Sequence, residues 1–269
     1  MRAKGTHIGT GLQFDDVVTR SLEALYQTRD AARRREAVLD ALQLRSGERV
    51  LDIGTGPGFL AAEMAEAVSP TGQIHGVDMS EPMLEMARKR CASKSWVTFQ
   101  PGAATDLPVD DATFDAALSV QVYEYIADVT KALSEMYRVI RPGGRAAIVS
   151  TDWDAIAWHA SDSARMSRIL GAFAEHCVHT SLPRTLAPKL RQAGFILKKQ
   201  RVIPQFNPMY SPDTYSYQIA RLIGSFVPGR QGVTEEEAHA WVEDLRQSGE
   251  RGEYFFSLNQ YLYLVVKPE

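Results

Sequence analysis

Val50-Leu51-Asp52-Ile53-Gly54-Thr55-Gly56-Pro57-Gly58 constrains the fold of this chain more than any other stretch. A buried strand runs into alternating glycines, and Phe59-Leu60-Ala61-Ala62-Glu63-Met64-Ala65 continues with helix-forming residues and an apolar stripe. Strand, glycine turn and helix in that order let bare backbone approach a nucleotide-like ligand. A second strand, Gln73-Ile74-His75-Gly76-Val77, ends in Asp78. In an open parallel sheet the carboxyl ends of neighbouring strands border one crevice, where such an acid accepts hydrogen bonds from a ribose diol. Helix capping is the plainer alternative for Asp78. The dinucleotide pattern Gly-x-Gly-x-x-Gly needs glycine at 59, and Phe59 stands there, which argues against NAD.

The same alternation recurs. Strands are expected near 49–53, 73–77, 96–100, 113–119 and 145–151, with helices near 58–68, 81–91 and 128–140, a pattern that predicts a parallel sheet covered on both faces. Ahead of it, residues 1 to about 13 lack periodicity and read as mobile, and helical spacing from Asp15 to Leu44 reads as a cover. After the fifth strand come helical segments near 162–176 and Pro183–Ala193 and a strand Phe195–Ile203. Pro208–Gln247 then holds helical stretches around Asp213–Ile223 and Thr234–Gln247, before β-rich Tyr254–Val266. The expected organisation is an N-terminal segment and cover over 1–44, a core over 45–207, a helical insertion or lid over 208–253 and the final core strand over 254–269. Tyr210, Tyr215, Tyr217, Phe226 and Trp241 give the insertion the composition of an apolar-walled pocket, or of ordinary packing.

Charge and cysteine content narrow the function classes. A net charge of -3 with no long basic block gives nucleic acid no electrostatic footing. Cys91 and Cys177 are too few for a disulfide framework or a structural zinc site, so a reducing cytoplasm is expected and no metal site. No apolar run has the length of a membrane span, and nothing indicates export. The oligomeric state is not encoded in any pattern found.

Asp-x-Gly-x-Gly-x-Gly, the Asp78 strand end and Arg141-Pro142-Gly143-Gly144 together resemble the class I S-adenosylmethionine-dependent methyltransferases. Gly102-Ala103-Ala104-Thr105-Asp106-Leu107-Pro108, Phe114-Asp115, Asp128 and Glu135-Met136-Tyr137-Arg138-Val139-Ile140 continue the likeness. They are most similar to the branch of quinone-biosynthesis C-methyltransferases and natural-product methyltransferases. The resemblance is close from Leu22 to Gly144 and looser beyond, with Leu190-Arg191-Gln192-Ala193-Gly194-Phe195 similar to the family's approach to its sixth strand. It implies a Rossmann-like, mostly parallel seven-stranded α/β sheet with helices on both faces, an N-terminal helical cover and a helical insertion before the last strand. It also implies S-adenosyl-L-methionine as cofactor and a small, hydrophobic or aromatic methyl acceptor. A nucleotide-dependent oxidoreductase on the same sheet, or a non-catalytic cofactor-binding protein, are the alternatives.

By this resemblance Gly54, Thr55, Gly56 and Gly58 cradle the cofactor and Asp78 holds its ribose. Asp52 orders the turn or meets the cofactor's ammonium, and Met79 flanks the adenine unless it packs in the core. Where the family carries an acid after the glycine of the third strand end, this chain has Gly102-Ala103; Ala104 and Thr105 are left to offer backbone contacts, and Asp106 either substitutes or caps a turn. Ser119 and Gln121 border the methionine part of the cofactor or serve as loop. Ala31-Ala32-Arg33-Arg34-Arg35-Glu36 is a solvated helix face or supplies an arginine to the cofactor's carboxylate. Methyl transfer from a sulfonium neutralises charge, so alignment in low-polarity surroundings does much of the work, and an acceptor that loses a proton needs a base. Glu124, Asp152 and His159 are the candidate bases, and Tyr123 and Trp153 the candidate acceptor walls.

Overall fold

In the computed structural model, which describes residues 23–269, β1 (Arg49–Ile53) is buried from Val50 onward because helices cover both faces of the sheet. Val50 packs into the core on one face, Leu51 and Ile53 into the core on the other, as the two-residue period of a strand requires. β2 (Gln73–Asp78) and β4 (Phe114–Val120) flank β1 in parallel, and β3 (Val97–Pro101) lies parallel beyond β2. β5 (Ile140–Thr151) is parallel to β4, while β8 (Phe256–Val266) runs antiparallel between β5 and β7 (Ile196–Asn207). The strand order is β3-β2-β1-β4-β5-β8, with β7 beyond β8.

Two details depart from expectation. The sheet has eight strands where seven were expected. The additional one, β6 (Ala157–Trp158), pairs with Phe256 and Ser257 on the edge of β8 that β5 leaves free. Two residues carry no readable period, so such a strand leaves no trace in sequence. β5 also begins at Ile140, with an irregularity between Phe114 and Ala116 of β4 that absorbs Arg141–Gly144 into the strand.

Helices α2 (Phe59–Val68), α3 (Glu81–Arg90) and α4 (Val129–Val139) link the parallel strands. α1 (Arg29–Leu42) starts at Thr28, whose hydroxyl accepts from Ala31 N, and buries Ala31, Arg34, Val38 and Ala41. The segment expected to be mobile and the cover's first residues, up to 22, lie outside the described residues. After β6 come α5 (Ser163–Phe173) and α6 (Pro183–Gln192); between β7 and β8 come α7 (Tyr215–Phe226) and α8 (Glu235–Glu250). Tyr215, Phe226 and Trp241 are buried in one cluster with Trp153 and Phe173, whereas Tyr210 and Tyr217 pair their rings at 4.8 Å nearer the surface. Asp30 joins the cover to this region: its carboxylate accepts from Asn207 Nδ2 and from Tyr215 N, each at 2.9 Å.

Candidate active site

The glycine turn after β1 is shaped by contacts that no side chain would survive. Gly54 has φ +72° and its missing Cβ would overlap the Val122 side chain, while at Gly58, φ +78°, a Cβ would lie 2.8 Å from Ala87 Cα. Gly54 N and Thr55 N donate to Val77 O at 2.7 and 3.1 Å, which ties the turn to the end of β2. Arg90, at the end of α3, donates to Pro57 O at 2.8 Å and lies 3.5 Å from the centre of the Phe59 ring. Phe59, the residue that breaks the dinucleotide pattern, thus serves as a cation-π partner that seats the turn on α3.

Two acids bracket this turn. Asp52 is buried and accepts from Thr55 Oγ1 at 2.8 Å. Burial pushes its carboxyl up to about 7, against the Thr55 hydrogen bond, and the neighbouring Asp78 pushes it further. Asp78 accepts from Gly56 N and Ser80 N, each at 2.9 Å, and burial raises its carboxyl too, against those N–H groups. Neither acid has a lysine or arginine partner among the described residues. Buried carboxylates without a cation are costly, and a cationic or hydroxyl-rich ligand relieves them. Met79 follows with 63% of its surface exposed, an apolar side chain standing open beside Asp78.

From the cover, α1 contributes Arg34, 1% exposed, whose guanidinium donates to the Gln121 side chain and whose Nε has no partner. Tyr26 precedes α1, and its hydroxyl lies 4.0 Å from where a Cβ of Gly56 would stand. Arg35 ties this corner to α2 through Glu63 and to Tyr26 O, both at 2.7 Å. Gln121 follows β4 with φ +56°, a strained conformation for a residue with a side chain, and its Nε2 donates to Thr151 Oγ1 at 2.9 Å. Ser119 pairs with Ile53 in register and is buried with an unpartnered hydroxyl.

Glu124 lies in a 3-10 turn (Tyr123–Tyr125) and is fully buried. Its carboxylate accepts from Ser150 Oγ at 3.2 Å and Thr151 N at 3.3 Å, and its carbonyl accepts from Val178 N and His179 N. Burial pushes its carboxyl up to about 7, against these hydrogen bonds and the attraction of Arg34. Tyr26 feels the charges of Arg34, Asp78, Glu124 and Asp52, so one phenol stands within electrostatic reach of the glycine turn and of Glu124.

Other candidates are placed elsewhere. Asp152 is held by Arg184 through two hydrogen bonds of 2.9 and 2.8 Å, which commits both its oxygens. His159 is exposed, its N–H on Phe255 O beside the start of β8. Ala104 is buried, Thr105 half-buried, and Asp106 exposed with its N–H on Ala103 O, so Asp106 closes a turn. Tyr123 is buried in the core under α4 with its hydroxyl unpartnered. Trp153 packs edge-on against Phe173 at 5.6 Å and His176 at 4.7 Å. Arg138, from the motif in α4, donates to Leu107 O, Val109 O, Glu135 and Asp111 and so fastens the connection between β3 and β4. Tyr26 escaped the sequence reading, and Arg34 stood out only as one of three arginines. The available signal was its place in the Ala31-Arg34-Val38-Ala41 stripe, where an arginine interrupts a buried helix face.

Residues 51–148 match the model described as "Methyltransferase domain". That stretch, about a third of the chain, is similar to a methyltransferase domain. The chain is 38% identical over 137 residues to a demethylmenaquinone methyltransferase of Symbiobacterium thermophilum, covering 48% of this chain and 54% of that protein. It is 41% identical over 150 residues to an uncharacterised 37.1 kDa protein of transposon TN4556 in Streptomyces fradiae, covering 55% of this chain and 44% of that protein. The chain thus spans about half the length of the curated relatives it matches. Among solved structures, geranyl diphosphate C-methyltransferase from Streptomyces coelicolor aligns with TM-score 0.57 and 19% identity, over 88% of this chain and 76% of that one. The cyclase SpnF aligns with TM-score 0.59 and 21% identity, over 88% and 82%. Likeness at this identity establishes a shared fold, with a cyclase and a methyltransferase both among the neighbours. No helix among the described residues is long and apolar enough to cross a membrane.

Proposed function

We propose that the chain transfers a methyl group from S-adenosyl-L-methionine to a small, hydrophobic or aromatic metabolite. The observation that carries this is the pair of acids, buried Asp52 and half-buried Asp78, bracketing a left-handed glycine turn with no cation of their own among the described residues. In this reading Gly54, Thr55, Gly56 and Gly58 give the backbone cradle, Asp78 accepts from ribose hydroxyls, and Met79 covers the adenine. Asp52 answers the ammonium, while Arg34 and the Gln121 it holds, with Ser119, border the methionine end. When bound, the cofactor supplies an electrophilic methyl on a positively charged sulfur. Glu124 is the candidate to take a proton from the acceptor, because it is buried beside this end and half-ionised near neutral pH. Asp152 and Arg184 together support the wall that carries Trp153.

The helices of 208–253 close the acceptor side over the core of 45–207, and Asp30 of the cover joins them there. A net charge of -3 and two unpaired, buried cysteines support a small-molecule acceptor, no nucleic-acid partner and a cytoplasmic setting. Isothermal titration of the whole chain with S-adenosylhomocysteine tests the reading. Micromolar binding is expected, and absence of binding by folded protein, or tighter binding of NADH, overturns it.

A further inference from the structure

A row of buried polar side chains crosses three strands and ends at the cover. Thr151 closes β5, Gln260 faces it in register on β8, and Gln205 lies beyond on β7, none of them more than 1% exposed. Gln205 Nε2 donates to Gln260 Oε1 at 3.0 Å, and Gln260 Nε2 donates to Thr151 Oγ1 at 3.2 Å. From the other side Gln121 Nε2 donates to the same hydroxyl oxygen at 2.9 Å, and Gln121 Oε1 accepts from the buried guanidinium of Arg34. Two residues away on these strands, and so on the same face, Val149, Leu262, Leu258 and Ile203 are buried and apolar. Polar groups set in such a layer cost stability unless each is met, and a row that is met holds its members in one arrangement.

The arrangement is dictated from the Arg34 end. A guanidinium only donates, so Gln121 turns its oxygen to Arg34 and its N–H to Thr151, whose oxygen spends both lone pairs on two amides. Gln121 needs that grip: at φ +56° it stands in a left-handed conformation, held by its own N–H on Val149 O at 2.8 Å and by the Thr151 hydroxyl. Arg34 needs it as well, having no ion pair among the described residues and an unpartnered Nε, so that the Gln121 amide is what meets the cation. Ser150 and Thr151, neighbours in a strand, turn to opposite faces, Ser150 to the Glu124 carboxylate and Thr151 to Gln121. We infer that Thr151 is a positioning residue for the methionine end of the cofactor: its hydroxyl oxygen fixes the Gln121 amide and, through it, the guanidinium of Arg34. This rests on the methyltransferase reading, which titration of the wild-type chain with S-adenosylhomocysteine tests separately.

The test titrates the whole chain with S-adenosylhomocysteine and with methylthioadenosine, which lacks the amino-acid end, by calorimetry. Thr151→Val keeps the branched shape and the backbone N–H on Glu124 but removes the hydroxyl, and should weaken S-adenosylhomocysteine about tenfold, the worth of one net hydrogen bond. Methylthioadenosine should bind as before. Thr151→Ser returns the hydroxyl and should restore S-adenosylhomocysteine. In an Arg34→Met background Thr151→Val should cost S-adenosylhomocysteine no more than about twofold, because the residue it acts through is gone. In the ligand-free chain, nitrogen NMR should show the Arg34 guanidinium rotating faster in Thr151→Val and not in Thr151→Ser. Unchanged S-adenosylhomocysteine affinity in Thr151→Val, equal losses for both ligands, no rescue by serine, additive losses with Arg34→Met or an unmoved Arg34 signal would each overturn the inference. Should Thr151→Val fail to fold, Thr151→Ala carries the same expectations. If wild type binds S-adenosylhomocysteine and these fail, the methyltransferase reading survives without Thr151; if wild type does not bind it, the reading itself falls.

Discussion

Replacing Asp52 with asparagine should make the ligand-free protein more stable while weakening its hold on the cofactor. Asp52 is 3% exposed, with Asp78 as its charged neighbour, and burial lifts its carboxyl from an ordinary 3.8 to about 7. A carboxyl raised in the folded chain binds its proton more tightly there than in the unfolded chain. Its contribution to stability is therefore complete below about pH 4 and is lost as the pH climbs to about 7. That interval is worth about 4 kcal/mol, at about 1.4 kcal/mol per pH unit, an upper bound because a buried site relaxes around its charge. The asparagine amide still offers an oxygen to the Thr55 hydroxyl and never ionises. Asp52→Asn should then stabilise the ligand-free chain by up to about 4 kcal/mol near pH 8 and leave it unchanged near pH 4, measured by urea unfolding at both. Near pH 7 the wild-type chain should also release a fraction of a proton when S-adenosylhomocysteine arrives, because its ammonium draws Asp52 into the ionised form. Calorimetry in buffers of different ionisation enthalpy reads that release, and the variant should lack it. Equal stability of the two chains near pH 8, or proton-neutral binding by wild type, would refute the argument.

Arg34→Met should leave unfolding stability within about 1 kcal/mol, since an unpaired buried cation is replaced by an apolar chain of similar length. It should weaken S-adenosylhomocysteine about a hundredfold, yet spare methylthioadenosine, which has no carboxylate; equal losses for both ligands in titration would count against Arg34 as the carboxylate's partner. Gly54→Ala combines a left-handed backbone, costing about 1–2 kcal/mol, with overlap on Val122. Thermal unfolding should show Val122→Ala recovering the overlap and not the backbone share. Arg138→Ala removes the hydrogen bonds that fasten the β3–β4 connection and should cost about 1–3 kcal/mol in urea unfolding, with S-adenosylhomocysteine affinity falling as that connection loosens.

What the sequence revealed is what the backbone demands at one place. The strand, glycine turn and helix around Gly54, and Asp78 at the next strand end, are legible because steric freedom and burial period are local properties. Arg34 is half legible: its position in a buried stripe is local, but Gln121 meets it only once β4 and the cover are folded together. Asp152 and Glu124 show the limit. Both are acids just beyond a parallel strand, equivalent as text, yet the guanidinium of Arg184 reaches one from α6 while the segment at Val178 and His179 seals the other. Their chemistry is decided by partners brought in from elsewhere in the chain, and a period cannot encode that. The same reasoning separates His159 from His176: one stands exposed at the edge of β8, the other is walled in by Phe173, Trp153 and Tyr125 with its tautomer fixed by a carbonyl.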